Sequence, residues 1–314
     1  MEHKPEKTVK LKLGTRKSAL AMVQSNWVKT EIERHHPEVQ VELFKITTKG
    51  DRMLDVPLAK VGGKGLFVKE IEDAMLGRHV DLAVHSLKDV PTEIPSGLEV
   101  SVFPRREDCR DALISREKIV FEDLPAGIRV GTSSLRRLAQ LKASRPDLEV
   151  VPVRGNVDTR LRKLDEGQFE AMILATAGLR RLGLQEKITQ ILETDTMLPA
   201  IGQGALGIEF RSDDSEVREI LSSIHHEHTA VCVRVERAFL AKLEGGCQVP
   251  IGAHARLEDN ELSLDGLVGS EDGKTIIRMQ ERGPATDPEG LGISLGEKIL
   301  AAGGSEILTE VYRK

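Results

Sequence analysis

A short run of the chain places a serine, a lysine and an acid directly after a candidate strand. The run Asp81-Leu82-Ala83-Val84-His85-Ser86 has the pattern of a buried strand and leads into Leu87-Lys88-Asp89-Val90-Pro91. In open α/β sheets, ligands bind beyond the carboxyl ends of the strands. We therefore expect Ser86, Lys88 and Asp89 to lie where chemistry takes place, although a single aspartate before a turn can also be a simple cap.

A second region, between Gly131 and Arg162, is rich in cations. Arg136 and Arg137 fall in the first turn of a predicted helix, where the helix dipole disfavours each of them by about 0.3–1 kcal/mol. An anionic ligand at the same helix N-terminus would compensate, and the planar guanidinium suits carboxylates and phosphates. The alternative is a solvated face with internal ion pairs. The cations are Arg136, Arg137, Lys142, Arg145, Arg154, Arg160 and Arg162, and Thr132 and Ser134 add hydroxyl groups.

The third chemical feature is a cysteine set between glycines and a proline. It lies in Leu243-Glu244-Gly245-Gly246-Cys247-Gln248-Val249-Pro250-Ile251-Gly252. Glycine permits tight turns and proline fixes the exit of the chain, so Cys247 is predicted on a loop that other molecules can reach. The alternative is a small apolar residue packed under a turn.

A glycine-rich stretch, Lys60-Val61-Gly62-Gly63-Lys64-Gly65-Leu66-Phe67, forms a fourth candidate. It lacks the spacing of a nucleotide-binding P-loop. Its glycines predict a mobile flap over the mouth of a cleft, and its lysines, Lys64 among them, could reach an anion. An ordinary surface loop is the alternative.

The composition narrows the class of protein that could carry these residues. A length of 314 residues predicts more than one domain, and a net charge of −5 argues against a general nucleic-acid or membrane-surface binder. The three cysteines are widely spaced without a CxxC motif, so we expect neither a disulfide framework nor a metal site. The polar start and the absence of long apolar runs predict a cytoplasmic protein. No heptad pattern requires a partner, so we expect a monomer.

The elements that position these residues are predicted to form two similar α/β lobes and a third, smaller domain. Gly131-Thr132-Ser133-Ser134 follows a strand and opens a helix, as Gly14-Thr15-Arg16-Lys17-Ser18 does, which indicates two lobes around a cleft. We expect hinge segments at Pro104–Asp108 and Pro199–Ala205. The predicted domains are residues 8–104 with 205–222, residues 110–198, and residues 227–314. For the last, we expect a helix from Ala230 to Leu243, strands from His254, Glu261 and Thr275, and a final helix from about Pro288 to Ala301.

Taken together, these motifs closely resemble the porphobilinogen deaminase (hydroxymethylbilane synthase) family. The resemblance extends over nearly the whole chain from about Leu11, and the segments are specific jointly rather than singly. They are the glycine-rich stretch from Lys60, the runs Val84–Pro91, Gly131–Arg137 and Arg154–Arg160, and the cysteine loop Glu244–Pro250.

The resemblance implies two lobes like those of periplasmic binding proteins, a small C-terminal α+β domain, and a dipyrromethane cofactor linked to Cys247 through a thioether. On it, four porphobilinogen molecules condense with loss of ammonia, and water then releases hydroxymethylbilane. Carried over to this sequence, Asp89 is the catalytic carboxylate. The residues implied to bind cofactor are Ser86, Lys88, Thr132, Ser134, Arg136, Arg137, Arg154 and Arg160, and those implied to bind substrate are Arg16, Lys64, Arg154, Arg160 and Arg181.

The chemistry of that reaction agrees with the residue types. Each pyrrole brings carboxylate side chains, which an arginine-lined cleft would bind, and loss of ammonia leaves a cationic pyrrole that a carboxylate would stabilise. Two other classes of function compete with this interpretation. One is a non-catalytic anion-binding module with the same two lobes, and the other is a hydrolase that uses Cys247 with a histidine such as His85.

Overall fold

The computed structural model describes residues 8–52, 68–245 and 249–313. Cys247 and the whole glycine-rich stretch from Lys60 to Phe67, with Lys64, lie outside these residues, so the predictions made for them remain predictions. The described strands are β1 Val9–Arg16, β2 Val39–Ile46, β3 Leu82–Ser86, β4 Leu98–Val102, β5 Asp111–Ser115, β6 Arg129–Gly131, β7 Glu149–Val151, β8 Ala171–Ala175, β9 Gln190–Leu192, β10 Leu206–Arg211, β11 Ile251–Glu258, β12 Glu261–Gly269 and β13 Ile276–Pro284. The described helices are α1 Ala19–His35, α2 Lys49–Arg52, α3 Lys69–Leu76, α4 Leu135–Ser144, α5 Val157–Asp165, α6 Thr176–Arg181, α7 Ser215–Ser222, α8 Glu227–Lys242, α9 Pro288–Ile299 and α10 Ser305–Tyr312.

Two sheets with the same strand arrangement form the two lobes. The first has the order β2-β1-β3-β10-β4 and the second the order β7-β6-β8-β5-β9. In each sheet three parallel strands come first, and the fourth strand, β10 or β5, runs antiparallel to its neighbours. The predicted pair of α/β lobes built alike is confirmed.

Local sequence signals account for the helix that follows β1 in the first lobe and for the helix that follows β6 in the second. The hydroxyl of Ser18 accepts a hydrogen bond from the Ala21 amide at the start of α1, as the sequence predicts. Ser134 does the same for the Arg137 amide at the start of α4. An N-cap of this kind stabilises a helix by about 1 kcal/mol, and it places both turns beside the carboxyl end of a strand.

The chain crosses between the lobes twice, because β4 leads to β5 in the second lobe and β9 leads back to β10 in the first. The two crossing segments lie together: the Glu107 amide donates to the Gly204 carbonyl at 3.2 Å. Buried Glu236 on α8 accepts from Arg106 of one crossing at 2.6 Å and from the Gly202 amide of the other at 2.7 Å. The third domain is thereby tied to both crossings.

The third domain is the predicted α+β unit, with one difference at its end. The antiparallel sheet β11-β12-β13 packs against α8 and α9 around Phe239, Leu264 and Leu295. The prediction of a single final helix to about Ala301 was wrong. The helix ends at Ile299, a π turn containing Gly303 at φ 106° follows, and α10 continues the chain. Glycine takes that left-handed backbone without the steric cost that a side chain would add.

Smaller differences in element bounds have tertiary causes. Strand β3 begins at Leu82 rather than Asp81, whose carboxylate instead accepts the Lys12 amide at 2.8 Å and pairs with Arg211 at 3.0 Å. Strand β11 begins at Ile251 rather than at His254, because its pairing with β12 starts three residues earlier, opposite Val268. No helix in the described part of the chain is long and apolar enough to cross a membrane.

Candidate active site between the lobes

Asp89 ends a short 3-10 turn, Leu87–Asp89, that follows β3 directly. The Leu87 amide donates to the Ala205 carbonyl at 3.1 Å, and its buried side chain fills a space left by two glycines. A Cβ on Gly202 would lie 3.0 Å from the Leu87 side chain, and one on Gly207 would lie 2.9 Å from it. The turn is therefore held by a buried leucine, while the Asp89 side chain stays exposed.

Ser86 is held by a residue that the sequence analysis missed. Gln24 of α1 is 3 % exposed, and its side-chain amide donates to the Ser86 hydroxyl at 2.9 Å. A glutamine on the helix face that also buries Val28 and Ile32 was the available signal. Arg16, the last residue of β1, reaches the same edge of the sheet because β1 and β3 run in parallel.

Lys88 connects this edge to the second lobe. Its ammonium donates to the Gln203 side chain at 3.4 Å. Burial lowers the pKa of Lys88 to about 8, against a raising effect from Asp89, and Arg137 of the second lobe lowers it further. The lysine and the catalytic candidate thus lie within electrostatic range of the arginines across the cleft.

Arg136 and Arg137 share a buried carboxylate, Asp111, at the start of β5. Arg136 lies 2.8 Å and Arg137 2.6 Å from its oxygens, and the Asp111 side chain is fully buried. Although burial alone raises the pKa of Asp111, the two guanidinium groups outweigh it and hold the pKa well below its usual range. The sequence analysis expected an anionic ligand to compensate for the arginines, and the protein supplies part of that compensation itself. One carboxylate against two guanidinium groups leaves a net positive charge.

The hydrogen bonds of this cluster reach into the crossing segments. Arg136 donates to the Leu198 carbonyl at 2.6 Å, and Arg137 donates to the Ile173 carbonyl at 2.9 Å. Gln203, which also accepts from Lys88, donates to Asp111 at 2.9 Å. Asp111 and Gln203 were not predicted from the sequence as site residues. Through Lys88, they link the turn that bears Asp89 in the first lobe to the arginines of the second.

Two further arginines are desolvated and have no ion pair of this kind with any residue that the structure describes. Arg160 of α5 donates to the Gly155 carbonyl at 2.8 Å, and Arg181 at the end of α6 donates to the Gly204 carbonyl at 2.7 Å. Burial lowers the pKa of each to about 10, and for Arg160 the nearby Arg137 lowers it further, while Asp89 raises it. Desolvated cations held on uncharged carbonyls bind carboxylate ligands strongly.

The predicted hydroxyl groups lie at the N-terminus of α4. The Thr132 hydroxyl accepts from the Ser134 amide at 3.2 Å, and the Ser134 hydroxyl caps the helix. Arg154, half-buried just before α5, acts electrostatically on Arg160. The structure therefore brings Ser86, Lys88 and Asp89 of the first lobe to the cations of the second.

The start of β11, which follows the cysteine loop in the sequence, abuts this cluster. A Cβ on Gly252 would lie 3.1 Å from the carbonyl oxygens of Leu198 and Pro199 and 3.4 Å from Cδ of Arg136. Nε of Arg136 is buried and has no hydrogen-bond partner among the described residues. An excess of buried cations with a donor left over, beside the strand that follows Cys247 in the sequence, fits a polycarboxylate group attached to that residue.

Two family models match the chain. The model described as "Porphobilinogen deaminase, dipyromethane cofactor binding domain" matches residues 11–219, and "Porphobilinogen deaminase, C-terminal domain" matches residues 230–301. A porphobilinogen deaminase from Geobacter sulfurreducens is 56% identical over 305 residues, which are 97% of this chain and 96% of that protein. One from Trichlorobacter lovleyi is 55% identical over 305 residues, 97% of either chain.

Similarity to solved structures is weaker. A TRAP periplasmic solute binding protein from Desulfovibrio salexigens is 16% identical, with a TM-score of 0.43 over 71% of this chain and 74% of that one.

Proposed function

Because the chain belongs to the porphobilinogen deaminase family, we propose that the cleft between its lobes is the active site and that Cys247 carries the cofactor there. Members of the family are transferases of tetrapyrrole biosynthesis that use dipyrromethane, and this chain contains the cofactor-binding domain. That membership decides against a plain anion-binding module and against a cysteine hydrolase.

The observation that carries the proposal is the contact between the start of β11, which follows the cysteine loop in the sequence, and the second lobe with the crossing segment after it. Gly252 packs against the Leu198 and Pro199 carbonyls and Arg136, and the Ala253 amide donates to the Pro199 carbonyl at 3.0 Å. Cys247 precedes Gly252 by five residues, so at most about 18 Å of extended chain separates it from this contact. We assign the group bound to Cys247 to the arginines beside the contact. Bound there, dipyrromethane supplies a nucleophilic pyrrole carbon to which substrate is added.

Asp89 is the proposed catalytic carboxylate. It stands exposed at the end of β3 and within electrostatic range of Lys88 and Arg160. When porphobilinogen loses ammonia, positive charge develops on the pyrrole, and a carboxylate fixed in advance at that position stabilises the charge. The buried Leu87 side chain and the Ala205 hydrogen bond keep the turn from moving as that charge develops.

The cations divide between cofactor and substrate. We assign Lys88, Arg136, Arg137, Arg154 and Arg160, with the hydroxyl groups of Ser86, Thr132 and Ser134, to the cofactor carboxylates. Arg16, Lys64, Arg154, Arg160 and Arg181 serve the acetate and propionate groups of porphobilinogen. Arg154 and Arg160 appear in both sets because each addition moves a substrate unit into the growing chain.

We also keep the predicted division into domains, residues 8–104 with 205–222, residues 110–198 and residues 227–314. A monomer in the cytoplasm that binds neither nucleic acid nor membranes accords with the net charge of −5 and the cysteine content.

Mass analysis of cysteine variants tests the proposal. Intact mass of Cys247→Ala, purified from a host that makes porphobilinogen, should lack the increment of two linked pyrrole units that the wild type carries. Cys109→Ala and Cys232→Ala are the matched controls and should retain it, since burial raises the pKa of Cys109 to about 11 and of Cys232 to about 12. A thiolate is the reactive form of cysteine, so the native thiols of Cys109 and Cys232 are poor nucleophiles. Peptide mapping that finds the adduct on either control residue would refute the assignment.

A further inference from the structure

A buried pair of titratable residues lies on the α3 side of the first sheet. Nε2 of His85 and Oε2 of Glu209 are 2.8 Å apart, and the residues are 6 % and 1 % exposed. The second oxygen of Glu209 is buried and has no hydrogen-bond partner among the described residues. Neither residue belongs to the cofactor or substrate set assigned above.

The pair fastens two neighbouring strands just before the catalytic turn. Strands β3 and β10 are antiparallel, with His85 opposite Gly207 and Glu209 opposite Ala83, so the hydrogen bond runs diagonally between them. The next residue of β3, Ser86, points to the other face of the sheet and is held there by Gln24. The end of β3 is thus held on both faces, and the turn to Asp89 begins one residue later.

A third titratable residue, Glu72, lies beside the pair. Glu72 of α3 acts electrostatically on the pair, and burial, reinforced by Glu209, raises the pKa of Glu72 to about 7. His85 lowers that pKa, Asp73 on the same helix raises it, and Lys69 lowers it. Burial here therefore favours the protonated form of Glu72, while the carboxyl group of Glu209 is held by its hydrogen bond with His85.

Such a pair is weak evidence for stability. Burying charged groups costs free energy, and apolar residues of similar volume often serve a core as well. A hydrogen bond, unlike apolar packing, fixes direction as well as distance. We propose that His85 and Glu209 are positioning residues that hold the end of β3 so that Asp89 points into the cleft. The inference rests on the catalytic role proposed for Asp89.

A double variant separates positioning from folding. His85→Leu with Glu209→Met removes both polar partners together, so no buried charge is left alone. We expect it to fold and to acquire the cofactor mass, with kcat lowered about 10- to 100-fold and KM for porphobilinogen nearly unchanged, since a small displacement of a catalytic group costs that much. The loaded double variant keeping kcat within about twofold of the wild type would overturn the proposal.

Two further variants test whether a loss of kcat comes from packing or from charge instead of from the position of Asp89. Ile208→Ala removes a buried side chain from the same strand pair but from the opposite face, and should lower Tm with kcat within about twofold. A loss of kcat as large as that of the double variant would show a general packing effect and count against the proposal. Glu209→Gln keeps a partner for His85 without the charge and should retain kcat within about threefold; a larger loss would assign the effect to charge instead of position.

Combining the double variant with Asp89→Glu distinguishes the positioning role of His85 and Glu209 from the catalytic role proposed for Asp89. If the pair acts through Asp89, adding His85→Leu and Glu209→Met to Asp89→Glu should lower kcat by less than about threefold more. A fully multiplicative loss would mean that the pair acts elsewhere. Wild-type kcat in Asp89→Asn would instead overturn the catalytic role of Asp89.

Discussion

Two aspartates mark the cleft, and they differ in almost every physical respect. Asp111 of the second lobe is fully buried between Arg136 and Arg137, which hold its pKa well below the usual range. Asp89 of the first lobe is exposed at the end of a turn, with Lys88 beside it and Arg160 across the cleft. The charge of Asp111 is neutralised by protein arginines, whereas the exposed carboxylate of Asp89 is accessible to a ligand.

The arginines near the two aspartates also differ in what they bind. Arg136 and Arg137 have a fixed carboxylate partner and serve partly as structure. Arg160 and Arg181 are desolvated and donate to backbone carbonyls, so a carboxylate ligand would offset the cost of desolvating their guanidinium groups. The cleft therefore contains charges that stabilise the fold beside charges that bind ligand. Substitutions should affect stability for the first group and ligand binding for the second.

The largest expected effect is on stability, from Asp111→Asn. The change leaves two buried guanidinium groups without their counter-charge, and breaking a buried pair in this way costs about 3–5 kcal/mol in the free energy of unfolding. Urea denaturation measures it. Glu289→Gln, which breaks the exposed pair with Arg234, is the control and should cost at most about 1 kcal/mol. Equal losses in the two variants would remove the contrast between the aspartates.

Arg160→Leu should affect ligand binding rather than folding. A charge-assisted hydrogen bond to a bound carboxylate contributes roughly 1.5–3 kcal/mol, or about one to two decades in affinity. We expect slower acquisition of the cofactor mass and a higher KM, with Tm nearly unchanged. Arg162→Leu, on the same helix but exposed and paired with Glu166, should acquire cofactor at the wild-type rate. Similar behaviour of both variants would place Arg160 on a solvated face.

The smallest expected effect is a pH dependence from Lys88. Because its pKa is lowered to about 8, Lys88 loses its positive charge as pH rises through that value, well below an ordinary lysine. We expect the rate at which the protein acquires the cofactor mass to fall several-fold between pH 7 and about 9, because Lys88 is assigned to the cofactor carboxylates. Lys88→Arg keeps the charge over this range and should abolish the fall, whereas a fall unchanged in that variant would assign it to another group.

Short-range features of the fold could be read from the sequence, and long-range partners could not. The helix caps Ser18 and Ser134 act within three residues, so composition and order reveal them. Asp111 lies 26 residues from Arg137 and 92 from Gln203, and no local pattern records those contacts. The final helix was misjudged for a related reason, since the turn at Gly303 lets α10 pack Ile307 and Leu308 into the core of the third domain.

The candidate site shows the same division. Ser86, Lys88 and Asp89 could be located from one rule about the carboxyl ends of strands. Gln24, 62 residues before Ser86, could not, because a buried glutamine has many possible partners. The resemblance to a family supplied roles for the arginines, but only the coordinates divide them into those paired with Asp111 and those held on backbone carbonyls.

The central claim is that the charge of Asp89, and not its shape, drives the reaction in this cleft. Single-turnover release of ammonia from cofactor-loaded enzyme tests it most directly. Asp89→Asn keeps size and a hydrogen-bonding oxygen but loses the charge, and we expect release to slow by at least about 10²–10³-fold. Asp89→Glu keeps the charge one methylene further out and should retain measurable activity. Both should fold as the wild type by circular dichroism, because the side chain is exposed. Release near the wild-type rate from loaded Asp89→Asn would contradict the account and make Asp89 a structural cap.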